Sequence, residues 1–422
     1  MRKTFYGWWI TAACFCTFGI AVGIPYYSLP FFYDYFEQAP AQGGFGWSRS
    51  HMMLGFPLAA LCTIWVGPLV AHRWSPRRLI LLGTAVTAAA FLGFSRMQGQ
   101  LWIYYGLWLL YMVGYICSGP IPHQVLVSYW FRKQRGKAMG IMYVGVGLCG
   151  AISAKYIARP LTEALGFQAA LAIMGAMLFL AWPIVLGVVR DRPSDMGLFP
   201  DNNSSGDVRN GQESHGFGHL LRKRAFWLLL AGSVCSIGAI GAVNQHMKLI
   251  FKDQGFTSQE ALNYAFSEAL FVIMISSISG RLVVGWMADR FSKKWLTLAM
   301  YLLVALSIPL PLLVKPPHTP YLFALIFGLS MGADYMLIPL VAAEYFGAGS
   351  LARVMGVILP ADMIGLTWLP YAVSMLREQQ GDYRWALGMV FALALLGAAL
   401  IALLPSGGRK GNFLLLPFAR VH

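Results

Sequence analysis

Arg281 stands inside "SSISGRLVVGWMADRFSKK" (Ser276–Lys294), an apolar helical stretch that ends in the charged cluster Asp289, Arg290, Lys293 and Lys294. The step from Arg281 to Asp289 covers roughly 12 Å of helix. If the cluster marks a membrane surface, the guanidinium lies within the bilayer, where it costs roughly 2.5–3.5 kcal/mol or more. A guanidinium is a permanently charged, planar fork that matches two carboxylate oxygens, so an aqueous cavity that accepts an organic anion would offset that cost. Ser277, one turn earlier on the same helix face, could add a hydroxyl donor. Lys155, Asp334 and Asp362 also fall in apolar stretches. A carboxylate whose neighbouring cation is neutralised takes up a proton, which makes Asp334 and Asp362, with Lys155, the expected proton-coupling groups. A permanent ion pair is the competing explanation for either aspartate. Snorkelling to the interface is the competing explanation for Lys155.

Tyr26, Tyr27, Tyr115, His123 and Asn244 could complete a pocket around Arg281 and Ser277, with His246 and Glu268 as further titratable groups. Each is a weak signal alone, because aromatic residues gather at membrane interfaces. Gly140, Gly145, Gly147 and Gly150 serve close helix packing more readily than binding. Pro120 and Pro122 should kink the helix that carries His123.

The elements that must position these residues are membrane spans. Of 422 residues, 58% are hydrophobic and 12% charged, with a mean hydropathy of +0.60. Soluble proteins average about 25% charged residues. Apolar runs of about 20 residues number twelve: 6–36, 51–72, 78–96, 101–129, 137–158, 167–190, 226–248, 261–286, 294–314, 318–343, 352–377 and 384–405. One set of connecting segments, including both termini, holds 22 of the 32 Lys and Arg residues. That asymmetry predicts a multi-pass protein of the cell membrane with both termini in the cytoplasm. The formal charge of +15 is therefore topological. Its scatter among short loops argues against nucleic acid and leaves membrane lipid as the expected macroscopic partner. The first run lacks a cleavage pattern and is expected to remain a helix. All six cysteines fall within spans without paired metal-ligand spacing, so no metal is expected.

A polar stretch rich in Gly, Ser and Asn separates six spans from six. The predicted organisation is a first half over 1–190, a linker over 191–224, a second half over 225–405 and a tail over 406–422. Each half carries a short basic loop after its second span: "GPLVAHRWSPRR" and "GWMADRFSKK". That recurrence suggests a duplicated six-helix unit.

The second loop resembles the G-x-x-x-D-R-x-G-R-K signature of the major facilitator superfamily, matching at Gly285, Asp289, Arg290, Lys293 and Lys294, with Ser292 replacing a glycine. The resemblance implies an all-α membrane protein of twelve transmembrane helices in two six-helix halves. It also implies that these five residues form a conformational lock. The first copy departs from the pattern, with His72 where the acid is expected. "YGWWI", "FGWSRS", "WFRKQRGKAMGI" and "RDRPSDMGLFPD" narrow the resemblance to the bacterial monocarboxylate transporter and oxalate–formate antiporter group. In that group an arginine at the position of Arg281 holds the substrate carboxylate. Asp362 stands where the antiporter has a second cation. One arginine with nearby carboxylates suits a monoanion accompanied by a proton, whereas two cations suit a dianion.

The expected function is secondary transport of small monocarboxylates such as lactate or pyruvate, in symport with protons, by alternating access. The alternatives are an anion exchanger of the oxalate–formate type and a non-transporting sensor with the same fold. There is no H-E-x-x-H or Walker-type loop, so neither an enzyme nor a cofactor is expected. The insertion Ala39–Gly44 has no functional explanation.

Overall fold

The computed structural model describes residues 5–63, 74–131, 134–202, 220–288, 290–316, 318, 320–346 and 351–405. His72, Asp289, most of the linker and the tail lie outside the described residues. All regular structure among the described residues is helical. The chain runs α1 Gly7–Glu37, α2 Arg49–Thr63, α3 Pro76–Ser95, α4 Leu101–Trp130, α5 Lys137–Leu165, α6 Phe167–Gly187, α7 Arg224–Asp253, α8 Gln259–Ala288, α9 Lys293–Leu313 and α10 Tyr321–Phe346. It finishes with α11 Leu351–Gln380 and α12 Arg384–Ala402. All of these except α2, over its described part, are long and apolar enough to cross a membrane. Helix is what such sequences must form, since a backbone in hydrocarbon has to satisfy its own hydrogen bonds.

Local chemistry sets the irregularities. α1 widens over Gly19–Gly23 and tightens over Leu29–Phe32, where Pro25 and Pro30 remove backbone donors. α4 breaks at Gly119, immediately before Pro120, as the proline pair predicts. α5 widens over Ser153–Ala158, the segment that carries Lys155.

α3 begins at a Ser75 cap whose hydroxyl accepts the Arg78 N–H at 3.4 Å. Beside it, Asp191 accepts the Arg77 N–H at 2.9 Å. An anion thus sits at the positive end of α3, supplied from the segment after α6.

Among the first six helices the main packing pairs are α3 with α4 and α6, α2 with α4, and α1 with α5. Among the last six they are α8 with α10, α7 with α11 and α12, and α9 with α10 and α12. The two sets meet chiefly along α2–α11 and α5–α8. Glycine permits two of the closest approaches. A side chain at Gly145 would collide with the Phe15 carbonyl across α1–α5, and one at Gly332 with the Ser277 carbonyl across α8–α10. By contrast, a Cβ at Gly140 would meet nothing within 4 Å.

α7 continues five residues past the predicted end of its span, to Asp253. Lys248, the last residue of that predicted span, is consequently a fully buried residue within the helix.

Candidate functional site

Arg281 sits on the α5–α8 seam, half-buried, and its Nη1 donates to the Tyr143 carbonyl at 3.2 Å. Among the described residues no carboxylate lies within ion-pair distance of it. The hydroxyls of Tyr27 and Tyr143 are nearby. Tyr26 packs edge-on against Tyr27, with ring centroids 5.0 Å apart, and lies 6.4 Å from the ring of Tyr115. Tyr335 on α10 joins this group, close to Tyr26, Tyr27 and Tyr115, yet keeps 42% of its surface exposed. Tyrosines of α1 and α5 thus lie beside the guanidinium, and tyrosines of α4 and α10 lie beside those. Ser277 is buried on α8 and its hydroxyl has no hydrogen-bond partner. Asn244 is similar: its amide N–H meets the Met331 sulfur at 3.4 Å, and its carbonyl oxygen is unpartnered. Tyr335 was not among the residues singled out in the sequence. Its neighbour Asp334 was, but helical register puts the two on different faces.

Other expected residues lie apart from this group. His123 is fully buried at the α1–α4 contact, with Nε2 2.9 Å from the Thr17 hydroxyl and Nδ1 2.8 Å from the Gly119 carbonyl. One of its nitrogens is engaged by the helix break and the other by α1. His246 is likewise satisfied, at 2.8 Å from both the Tyr383 hydroxyl and the Pro370 carbonyl. Asp334 accepts a hydrogen bond from Ser236 at 2.6 Å, and Asp362 accepts one from Ser233 at 2.7 Å. Both serines are on α7. Neither aspartate forms an ion pair with Arg281 or Lys155 among the described residues. Lys155 pairs instead with Glu268 across α5–α8 at 2.9 Å.

The described residues of the expected lock make contacts within the second half. Lys293 pairs with Glu344 at 2.9 Å, and Lys294 donates to the Leu404 carbonyl at the end of α12 at 2.6 Å. Arg290 lies 3.8 Å over the Trp286 ring, and a side chain at Gly285 would have its Cβ 3.4 Å from the Met336 sulfur. The role expected of Asp289 falls outside the described residues.

A second constellation closes the face formed by the α1–α2, α7–α8 and α11–α12 turns. Arg49, 3% exposed, makes a two-pronged contact with Glu37 and another with Asp253, at 2.6–3.3 Å. Lys252 pairs with Glu37 at 2.7 Å, and Arg377 with Asp253 at 2.9 Å. Glu378 accepts both the backbone N–H and the hydroxyl of Ser50 at 2.7 Å. Tyr383, between α11 and α12, lies under the Arg49 guanidinium at 5.5 Å, and burial pushes its phenol above the usual range. The deepest members are Asp34 and Lys248, both fully buried, with Nζ 2.7 Å from Oδ1. That contact is charge pairing without an aligned hydrogen bond. Nζ aligns instead on the Phe31 carbonyl at 2.6 Å, beneath the Phe31 ring at 3.7 Å. Most of these contacts join the first six helices to the last six, so this face is clamped.

A helical bundle clamped at one face, with a guanidinium on its internal seam that has no anionic partner among the described residues, has the form of a transporter. The sequence profile of the Major Facilitator Superfamily matches residues 10–370, and the chain belongs to that family of multi-pass membrane transporters. It is 24% identical over 393 residues to monocarboxylate transporter 11 of Mus musculus, covering 90% of this chain and 83% of that one. It is 26% identical over 440 residues to monocarboxylate transporter 12 of Rattus norvegicus, with 94% and 86% covered. Its fold is similar to the crystal structure of a bacterial homologue of the human lysosomal transporter Spinster in an inward-facing, occupied conformation. There the TM-score is 0.66 at 13% identity, covering 94% of this chain and 96% of that one.

Proposed function

We propose that the protein is a secondary transporter of small monocarboxylates, moved together with a proton by alternating access. The observation that carries this is Arg281: a guanidinium on the seam between the halves, half-buried, with no anionic partner among the described residues. A substrate carboxylate supplies the missing partner through paired N–H···O bonds, and the tyrosines around it supply hydroxyl donors and apolar walls. The relatives named monocarboxylate transporters support the substrate class.

The proton follows from energetics. One unit charge moved across 100 mV involves about 2.3 kcal/mol, and a carboxylate entering a negative-inside cell opposes that field. A co-transported proton removes the opposition. The basic-residue asymmetry orients the clamped face outward and the termini toward the cytoplasm. Described carboxylates buried along the helices and available to carry the proton are Asp34, Glu268, Asp334 and Asp362.

Uptake of labelled lactate, pyruvate, formate and oxalate into proteoliposomes, with and without an imposed pH gradient, tests this reading. Saturable uptake of a monocarboxylate, accelerated by external acid, is expected. Exchange that ignores the pH gradient would instead establish the anion-exchange mode.

A further inference from the structure

Asp34 and Lys248 differ in one respect from every other fully buried charge described: they face each other across the two helix sets, from α1 and α7. When the outer face opens, α1 and α7 must part there, because the clamp that closes it joins these same helix ends. The pair then breaks. Resting on the proton-symport reading above, we propose that Asp34 is the proton-carrying carboxylate and that Lys248 is its conformational counter-ion.

The charges balance at each stage. With the outer face closed, Asp34 carboxylate and Lys248 ammonium neutralise each other. With it open, Asp34 loses its counter-ion and accepts one proton from the outer solution. Lys248 is left as an unneutralised cation at the mouth, which attracts the incoming carboxylate. One proton and one monoanion have then entered with no net charge. When the outer face closes and the pair re-forms, Asp34 must surrender its proton, which leaves to the water of the cavity facing the cytoplasm. The pair thereby ties protonation to the alternation itself.

The surroundings suit this role. Asp34 Oδ2 accepts from Gln259 of α8 at 2.6 Å, so the carboxylate's neutral partner also lies on the opposite helix set and is lost with Lys248 when the sets part. The other titratable groups facing the pair are Lys252 on α7, Glu163 at the end of α5, and Tyr35 on α1, whose ring lies 4.7 Å from Lys248 Nζ. Lys252 is occupied by Glu37 and Glu163 by Arg159. On α2, Arg49 is occupied by Glu37 and Asp253. Asp334 and Asp362 have serine partners on α7, within their own helix set, so rocking of the two sets need not change their surroundings.

The test measures labelled lactate and internal pH together in proteoliposomes of wild type, Asp34→Asn, and the paired neutral variant Asp34→Asn/Lys248→Gln. The pair variant is included because Asp34→Asn alone strands a buried cation and can impair folding. Wild type should accumulate lactate severalfold under external acid, with close to one proton entering per lactate. The pair variant should retain lactate counterflow while its accumulation falls to equilibration and its proton entry per lactate falls toward zero. If wild type accumulates and the pair variant accumulates equally, Asp34 is not the carrier, and the symport reading stands without it. If wild type ignores the pH gradient, the symport reading fails and takes this assignment with it. A merely structural role for the pair would change the rate and leave the proton-to-lactate ratio intact.

Discussion

The two charged regions of this transporter are built on opposite principles. At the clamp every described charge has a partner: Arg49, Lys252, Arg377 and Lys248 are matched by Glu37, Asp253 and Asp34. On the α5–α8 seam Arg281 has, as hydrogen-bond partner among the described residues, only a backbone carbonyl. The difference separates two tasks. A gate that opens and closes in each cycle needs contacts whose attraction roughly offsets the desolvation they require, so that neither state is a trap. A binding site needs the reverse, a charge kept unneutralised until the substrate arrives. Under the proposed function the clamp serves as a switch and Arg281 as a receptor.

The largest effect that sharpens this contrast is Arg281→Lys. A lysine keeps the charge and loses the fork. Loss of a desolvated charged contact costs about 2–5 kcal/mol, or roughly 30- to 4,000-fold in the apparent affinity for substrate, read from saturation of uptake. Unchanged saturation in this variant would mean that the charge alone suffices.

Next is the stability of the deep pair. Asp34→Asn should destabilise the purified protein by about 3–5 kcal/mol, because Lys248 is left buried and unpaired. Asp34→Asn/Lys248→Gln should recover most of that loss. Thermal unfolding in detergent compares the three proteins, and equal melting temperatures for the single and paired variants would show that the two charges are independent.

How much of this was legible in the sequence follows from where each charge stands. Arg281 was conspicuous because it interrupts an apolar run, and the spans themselves are written in runs of about 20 apolar residues. The clamp was not. Arg49, Glu37, Asp253 and Glu378 occupy span ends, where a solvated charge needs no explanation, and their partners lie up to 328 positions away in sequence. The "FGWSRS" stretch was noticed as a family mark, but nothing local in it says that Arg49 and Ser50 hold the two helix sets together. Lys248 was lost to a boundary, since the predicted span stopped at the residue where α7 in fact continues. Asp334 and Asp362 were found as buried acids, but only the fold shows that their partners, Ser236 and Ser233, belong to one helix of the same half.

A smaller effect is expected at the clamp's rim. Arg49→Ala removes contacts to both Glu37 and Asp253, and should shift the balance toward the outer-open state by about tenfold, or 1.4 kcal/mol. Distances between spin labels at Gln42 and Asp382, on the outer turns, would lengthen in a larger fraction of molecules. An unchanged distance distribution would show that Lys252 and Glu378 hold the face without Arg49.

The smallest effect concerns the segment joining the halves. Its Gly-, Ser- and Asn-rich composition is that of a tether, so deleting a few residues between Asp201 and His215 should change the lactate uptake rate by less than about twofold. A complete loss with normal membrane insertion would give that segment a role beyond connection.

The most direct measurement of the central claim is saturable, acid-driven lactate uptake in wild type and Arg281→Gln reconstituted at matched protein density. The account predicts concentrative uptake by wild type, and uptake at the level of empty vesicles by Arg281→Gln while that variant remains folded and monodisperse. Wild-type kinetics in Arg281→Gln would contradict it.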